Sequence, residues 1–215
     1  MNKPPDWRRL LLDASSDVRR LSYVDRFSSI PVVVRENVAE HSFWVVLYSM
    51  MIHREVGGPA EALPGLLAYA AVHDLPECLT GDVVRTFKYS SPEMKSAVDV
   101  AEGALTKRFP PELLGTYSDA VAGTEDPRYG LYVKEVVKAA DFLSLYQYMW
   151  RERSKGNREI DQFFARMKND MRGMSEASFR KSEADVGWAR AALAHLGNLY
   201  GCMSDDKFAQ EFTTT

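Results

Sequence analysis

Two histidines and two aspartates, far apart in the sequence, are the side chains best suited to chemistry. His41 stands alone in a helical stretch, His73 and Asp74 are adjacent, and Asp141 lies in an apolar helical segment. Imidazole nitrogens and carboxylate oxygens bind divalent metal ions, and a carboxylate that faces a helical core is costly unless a cation compensates it. The four residues can therefore converge on one ion.

Two further carboxylates follow the His73-Asp74 pair. His73 and Glu77 are four residues apart, so they would share one face of a helix. Pro76 is expected to distort that turn, which places the pair at a helix end, and Thr80-Gly81-Asp82 then makes a turn. Glu77 and Asp82 are therefore candidates for proton transfer close to the ion without being among its ligands.

Each of these residues also has a purely structural interpretation. His41 could be a hydrogen-bonded core histidine, and Asp141 could pair with Lys138, one helical turn earlier. Glu77 and Asp82 could cap or solvate a turn. The combination of all of them in this order is what favours a functional site.

The elements that would carry these residues are helices, because helical periodicity recurs along the chain and strand alternation is not sustained. Pro4-Pro5-Asp6 predicts the start of a first helix that continues to about Leu21. Further helices are predicted over about residues 39–56, 60–74, 92–109, 131–153, 161–171 and 184–200. The sequence thus predicts an all-α fold, a single helical bundle over residues 1–203 with a loose tail over 204–215.

Composition limits the possible functions. The 215 residues include 27 basic and 30 acidic side chains, a formal charge of −3, which argues against nucleic-acid binding and leaves small anionic ligands possible. The segment from Ser42 to Ile52 is free of charge but too short to cross a bilayer, so it is interpreted as a central buried helix. Two cysteines and no visible secretory start predict a cytoplasmic protein.

Four blocks of the sequence, in combination and order, resemble the signature of HD-domain phosphohydrolases, specifically the bacterial and phage 5′-deoxynucleotidase branch. The blocks are Val38-Ala39-Glu40-His41-Ser42, His73-Asp74-Leu75-Pro76-Glu77, Thr80-Gly81-Asp82 and Val137-Lys138-Ala139-Ala140-Asp141. The resemblance spans about residues 21–153. It implies an HD-domain helical fold, a homodimer, Glu77 and Asp82 as the groups that handle the attacking water and the leaving group, and as metal ligands His41, His73, Asp74 and Asp141.

The resemblance also implies residues that contact substrate. Arg26 matches an arginine that contacts phosphate, and Phe27 stands where the branch has a tryptophan that packs where a 2′-hydroxyl would sit. Lys88 and Lys138 match positions that face the phosphates. Ser42 matches a small hydroxyl residue beside the first metal ligand.

The ligand set contains no thiolate, so cobalt, manganese, iron(II), magnesium or zinc would all fit, and one ion is expected. The leading hypothesis is a metal-dependent phosphohydrolase that releases phosphate from deoxynucleoside 5′-monophosphates. A close rival uses the same site on a triphosphate, as phage relatives do on dATP. A third hypothesis, from another class, is a non-catalytic nucleotide-sensing HD module.

Overall fold

A computed structural model of the protein describes residue 8 and residues 18–184 and 189–205. Its α-helices, in chain order, are α1 (Val38–Glu55), α2 (Leu63–Val72), α3 (Glu77–Thr80), α4 (Arg85–Lys88), α5 (Pro92–Thr106), α6 (Pro111–Gly123), α7 (Gly130–Ser154), α8 (Asp161–Ala184) and α9 (Ala189–Ser204). The described residues form no β-strand, so the all-α prediction is confirmed. Most of the predicted first helix and of the predicted tail lies outside the described residues.

Helix α1 begins and ends at local sequence signals. The Asn37 side chain accepts a hydrogen bond from the Glu40 backbone N–H at 3.0 Å, and the Glu40 carboxylate accepts one from the Asn37 N–H at 3.2 Å. This capping box satisfies two backbone donors that the first turn leaves unpaired. Gly57, with φ of +63°, follows the helix end, where a left-handed conformation suits glycine.

The short helices α3 and α4 were not predicted, and two of the longer helices also differ from the sequence prediction. Helix α6 was not predicted, because Pro110-Pro111 was interpreted only as the end of the preceding helix, whereas Pro111 is itself the first residue of α6. Helix α8 was predicted only to residue 171 but continues to Ala184. Its buried stripe continues through Ser178 and Ser182, whose small polar side chains conceal the apolar period.

The main core lies where α7 packs against α1, α2 and α9, and the α8–α9 hairpin closes its other side. A smaller apolar cluster lies beneath the turn after α2 and includes Leu75, Cys78 and Phe109. These two clusters fix the first turn of α1, the end of α2 and the middle of α7 against one another. Those three places carry His41, His73-Asp74 and Asp141.

The prediction of a fully buried helix over Ser42 to Ile52 is wrong. Val45 and Ile52 face the core, but Phe43 is 62% exposed and Met51 is 53% exposed on the opposite side. Helices α2 and α7 cover only one side of α1, so the apolar residues on its other side remain uncovered by the described chain. No helix among the described residues is long and apolar enough to cross a membrane.

Candidate active site

Helices α1, α2 and α7 bring the four predicted metal ligands together. One ligand atom from each of His41, His73 and Asp141 lies within 4.8 Å of the others. His41 Nε2 is 3.1 Å from Asp141 Oδ1 and 3.5 Å from Asp74 Oδ2. The same Asp74 oxygen is 3.2 Å from His73 Nε2. Two imidazole nitrogens and two carboxylate oxygens thus surround one small space.

The Nε2 atoms of His41 and His73 are buried and have no hydrogen-bond partner in the described part of the chain. A buried polar atom without a partner costs stability unless something outside the protein satisfies it. Both atoms face carboxylate oxygens, an arrangement suited to a divalent cation held by nitrogen and oxygen ligands. The residues present therefore fit the single metal ion that the sequence predicts, although they do not identify the element.

The two imidazoles are oriented differently through their other ring nitrogens. His73 Nδ1 lies 2.8 Å from the Ala70 carbonyl oxygen, so Nδ1 carries a proton, and Nε2 becomes the acceptor when the ring is neutral. His41 Nδ1 lies 2.6 Å from an Arg26 nitrogen and 3.1 Å from Ser144 Oγ. Because a guanidinium only donates, His41 Nδ1 accepts from Arg26 here, and Ser144 is the group able to accept when Nδ1 carries a proton.

Burial and neighbouring charges both shift the pKa values of these ligands, and the balance between them differs from one ligand to the next. Burial alone would lower the pKa of His73, but the neighbouring Asp74 carboxylate raises it to about 9. Burial also opposes ionisation of Asp74, yet the His73 charge holds the pKa of that carboxyl below its ordinary value. Burial and the Arg26 charge lower the pKa of His41. His41 is therefore the imidazole that is ready to bind a cation without first losing a proton.

Glu77 and Asp82 line the same cavity as Asp74 and Asp141. Burial, followed by the charges of Asp74 and Asp82, raises the pKa of Glu77 to about 9. Glu77 is therefore protonated at neutral pH, which is the state needed to donate a proton. Asp82 Oδ2 accepts a hydrogen bond from the Phe27 backbone N–H at 3.2 Å.

Phe27 has an uncommon backbone conformation, with φ of +58°. A bulky residue with positive φ is strained, and such strain is found where surrounding structure holds a functional group in place. The Phe27 ring stacks on Tyr148 with centroids 4.7 Å apart, and the Arg26 guanidinium lies 4.9 Å from the ring centre. In this strained conformation the backbone N–H of Phe27 donates its hydrogen bond to the Asp82 carboxylate.

The remaining predicted substrate residues lie in different surroundings. Arg26 lines the cavity and pairs with Glu36 at 2.9 Å, and Lys88 lines it with its ammonium 2.9 Å from Glu102. Ser42 donates its hydroxyl to the Val38 carbonyl rather than to the cavity. Lys138 is exposed on α7 and is not among the residues that line the cavity. The predicted substrate roles of Ser42 and Lys138 stay predictions.

The cavity that contains these groups has a volume of about 680 Å³ and two chemically distinct walls. One wall carries Arg26, Lys88 and the carboxylates. The other wall is largely apolar and consists of Phe27, Ile30, Phe142, Leu145, Met149, Phe163 and Met167. A ligand with a charged end and a flat, weakly polar end fits such a cavity, whose size is in the range usual for small-molecule sites.

Several residues of the site were not found from the sequence. Ser144 contacts His41, Glu36 contacts Arg26, and Arg166 and Asn169 of α8 line the cavity. Ser144 lies three residues after Asp141, a spacing that places both on one face of α7 and could have drawn attention to it. Nothing in the local sequence of α8 indicates that it reaches the cavity.

Comparisons with known proteins identify a family and a fold. The family described as 5′-deoxynucleotidase YfbR-like matches residues 15–182. A 5′-deoxynucleotidase of Yersinia pseudotuberculosis is 32% identical over 160 residues, 71% of this chain and 79% of that protein. One from Pasteurella multocida is 29% identical over 160 residues, covering 71% and 80%.

Solved structures agree on the fold. An HD-domain phosphohydrolase from Listeria innocua superposes with a TM-score of 0.64 at 18% identity, covering 93% of this chain and 94% of that one. The cyanophage S-2L HD phosphohydrolase DatZ, solved with dA and one catalytic Zn²⁺ ion, superposes with a TM-score of 0.53 at 18% identity over both full chains. The helical bundle described above is therefore the HD-domain fold.

Proposed function

We propose a function from a premise that the family match provides: this chain belongs to the YfbR-like 5′-deoxynucleotidase family and is a metal-dependent phosphohydrolase. Its reaction, in this proposal, releases phosphate from deoxynucleoside 5′-monophosphates. The observation that carries the proposal is the pair of buried, partnerless imidazole nitrogens that face two carboxylates at the polar end of the cavity. That arrangement lacks a structural purpose and suits a cation that binds phosphate.

The ligands of the metal, in this proposal, are His41, His73, Asp74 and Asp141. A divalent cation held there supplies Lewis acidity toward a water and a phosphoryl oxygen. The protein fixes the two imidazoles through the Ala70 carbonyl and Ser144. Because neither imidazole needs to rotate, the site is largely formed before the cation binds.

Arg26 and Lys88 bind the phosphoryl oxygens. Glu36 holds the Arg26 guanidinium at 2.9 Å against the wall of the cavity, and Glu102 holds the Lys88 ammonium in the same way. Arginine offers a planar fork to two oxygens, whereas lysine acts as a point charge. Since His41 Nδ1 cannot accept from Arg26 once it carries a proton, Arg26 is then available to the phosphate.

Asp82 and Glu77 divide the proton transfers. Asp82 accepts a proton from the attacking water, whose oxygen forms the new bond to phosphorus. Glu77, protonated at neutral pH, donates its proton to the 5′-oxygen as the bond between phosphorus and that oxygen breaks. The products are inorganic phosphate and a deoxynucleoside; Asp82 then returns its proton to solvent and Glu77 takes one up, which restores both groups for the next turnover.

The base and sugar lie along the apolar wall. Phe27, fixed by stacking on Tyr148, lies next to Arg26 and so between the phosphate end and the apolar wall. We assign it the sugar contact that the sequence resemblance implies. Its ring is smaller than an indole, so the ratio of deoxyribonucleotide to ribonucleotide turnover measures how well this contact excludes a 2′-hydroxyl.

One screen separates the competing functions. Metal content is measured on the purified protein, and product release is measured on mono- and triphosphates of each base with both sugars. Phosphate from deoxynucleoside monophosphates supports the proposal, whereas turnover of dATP alone replaces it with the triphosphate reaction. A metal-loaded protein that binds nucleotides without turning any over is a sensing module. Lys88→Ala should raise KM, and Lys107→Ala, at an exposed lysine outside the cavity, is the matched control.

Two broader expectations belong to the same proposal. The family resemblance supports a homo-oligomer. A cytoplasmic location is supported by the two cysteines, which form no disulfide, since thiols persist in a reducing compartment.

A further inference from the structure

Three polar side chains of α8 line the cavity, and the proposed reaction gives none of them a role. All three are exposed, and we name them together the α8 polar edge: Arg166, Asn169 and Asp170. Phe163 and Met167 of the same helix line the cavity beside them. Spacings of three and four residues place these positions on one face of α8. This face therefore brings both apolar and hydrogen-bonding groups to the cavity.

Contacts at both ends of α8 fix its direction relative to α7. Arg153 Nε of α7 lies 2.7 Å from Asp161 Oδ1 at the start of α8. Near the other end of α8, Lys181 pairs with Glu135 of α7. The two helices therefore run antiparallel, and residues of both line the cavity.

The same contacts set the distance from the α8 polar edge to the proposed metal site. Counting inward from them places Asp170 near the level of Leu145, and Arg166 near the level of Met149. Along α7 these levels are roughly one and two turns beyond Asp141, or about 6 and 12 Å. A nucleotide with its phosphate at the metal and its base along the apolar wall extends over such a distance. The edge of its base then reaches the α8 polar edge.

The hydrogen-bonding groups of the α8 polar edge are of two kinds. The Arg166 guanidinium lies 5.9 Å from the centre of the Phe163 ring, and no carboxylate in the described part of the chain pairs with it. Arg172 Nη1 donates to Asn169 Oδ1 at 3.1 Å, so the Asn169 NH₂ group is the part that donates to a ligand. Asp170 has other contacts in the protein, and its two carboxylate oxygens together accept several hydrogen bonds. The edge thus presents two donor groups beside one acceptor group.

We propose that the α8 polar edge selects nucleotides whose base is a 6-oxopurine, guanine or hypoxanthine, over nucleotides of adenine. Such a base has two adjacent acceptors, O6 and N7, which match the paired N–H groups of Arg166 and the amide donor of Asn169. It also carries a hydrogen on N1, which the Asp170 carboxylate accepts. The inference rests on the proposed function, which places the phosphate at the metal.

Adenine fits the same groups poorly. Its 6-amino group is a donor and would face the donors of Arg166 and Asn169. Its N1 atom has a lone pair and no hydrogen, so it would face the carboxylate oxygens of Asp170. Polar groups left unpaired in this way reduce affinity, and a well-formed two-donor contact to a base discriminates by about 10- to 100-fold.

The first test compares four purine deoxynucleotides with the metal-loaded protein. We expect kcat/KM for dGMP and dIMP to exceed the values for dAMP and 2-amino-dAMP by about 10- to 100-fold. The last compound has the 2-amino group of guanine but lacks the 6-oxo group, so it isolates the contribution of position 6. A preference shared by dGMP and 2-amino-dAMP, or equal values for all four, overturns the inference.

The second test is Arg166→Met, which removes the guanidinium and keeps an unbranched side chain beside Phe163. The ratio of kcat/KM for dGMP to that for dAMP should fall at least about tenfold. Arg180→Met is the matched control, because Arg180 is an exposed arginine of α8 that does not line the cavity. If Arg166 bound phosphate instead, KM would rise by the same factor for every base and the ratio would not change, which overturns the inference.

The third test is Asn169→Asp. A carboxylate still accepts from Arg172 but replaces the NH₂ donor by an acceptor, to which the 6-amino group of adenine can donate. The same ratio should therefore move at least about tenfold toward dAMP. An unchanged ratio in this variant also overturns the inference.

Binding measurements separate this inference from the proposed function. Dissociation constants for dGMP and dAMP are measured by calorimetry on metal-loaded Glu77→Gln, which lacks the proton donor for the leaving group and keeps Arg26 and Lys88. A parent protein that hydrolyses no monophosphate refutes the proposed function, yet binding of dGMP at least about tenfold tighter than dAMP still supports the inference. Equal dissociation constants overturn it. Equal hydrolysis of all four compounds supports the proposed function and refutes the inference alone.

Discussion

Two of the three carboxylates of helix α7, Asp141 and Glu152, lie about three turns apart, and their surroundings are opposite in kind. Glu152 is only 1% exposed, yet three donors saturate it: the Val33 and Val34 backbone N–H groups at 2.6 and 2.8 Å and the Asn157 amide at 2.7 Å. Asp141, whose side chain is 37% exposed, faces the Nε2 atom of His41, which makes no hydrogen bond. The more deeply buried charge is the better satisfied one.

Burial of a charge does not by itself indicate function. Glu152 is satisfied by backbone and amide donors of its own chain, so it fastens the segment before α1 to the end of α7. Asp141 meets ring nitrogens that themselves lack partners, so the group as a whole is incomplete without a cation. Four measurements test this distinction between a structural and a functional carboxylate.

Asp141→Asn should have the largest effect. It removes a charged ligand from the metal, so phosphate release should fall at least about 1,000-fold together with bound metal. The metal-free protein should unfold at a lower temperature because, although burial opposes ionisation, His41 and Arg26 hold the pKa of Asp141 below its ordinary value, so its charge stabilises the fold. Metal content, phosphate release and calorimetry check the three statements. Full turnover by this variant would contradict the functional assignment of Asp141.

Ser144→Ala should lower metal affinity about 10- to 100-fold, the effect usual for a hydrogen-bond partner of a ligating histidine. Ser144 Oγ is the acceptor available to His41 Nδ1, and a competition titration with a chelator measures the loss. Ser49→Ala is the matched control, since Ser49 is also a fully buried serine but its hydroxyl has no hydrogen-bond partner. Equal loss of affinity in both variants would show that Ser144 acts only through packing.

Glu152→Gln should act on stability alone. Its neutral amide cannot accept all three hydrogen bonds, so the free energy of unfolding should fall by about 2–3 kcal/mol, or roughly 4–12 °C in Tm. Chemical denaturation measures the first and calorimetry the second. Metal affinity should stay within about twofold of the unchanged protein. A large loss of metal binding would remove the distinction between the two carboxylates.

Glu77→Gln should have the smallest effect on stability, with a distinctive pH dependence. The pKa of Glu77 is raised from an ordinary value of 4.5 to about 9, so ionised Glu77 favours the unfolded chain as the pH rises between those values. In metal-free protein the variant should therefore be more stable than the parent at pH 8, by roughly 2–4 °C, and equally stable at pH 4. Phosphate release should still fall, because glutamine donates no proton to a leaving group. An unchanged difference between the two pH values would contradict the raised pKa.

Much of the helical architecture was predictable because its boundaries depend on local chemistry. The Asn37–Glu40 capping box, Gly57 and Pro92 set helix ends through backbone hydrogen bonds that involve near neighbours. The length of α8 and the open side of α1 were not predictable in the same way. Both depend on which other helices pack there, and periodicity within one segment does not contain that information.

The residues of the site also fall into two groups, those that the sequence predicts and those that depend on contacts between distant parts of the chain. The four ligand positions were predicted from residue types and order, and the structure brings them together, while their role in binding metal stays a proposal. Ser144, Glu36 and the residues of α8 were missed because their part in the site arises from contacts across the fold. From sequence alone Glu152 and Asp141 look alike, two acids in one helix, because the donors that satisfy Glu152 come from a distant loop.

The segment between Asp25 and Asn37 closes on itself: backbone hydrogen bonds join Arg26 to Glu36 and Val38 to Val24 at its base. Ser29 and Ile30, near its tip, line the cavity. A loop whose ends are clamped can change length or composition at its tip at little entropic cost. Exchange of these few tip residues between relatives offers a route to a different base preference that leaves the hydrolytic machinery in place.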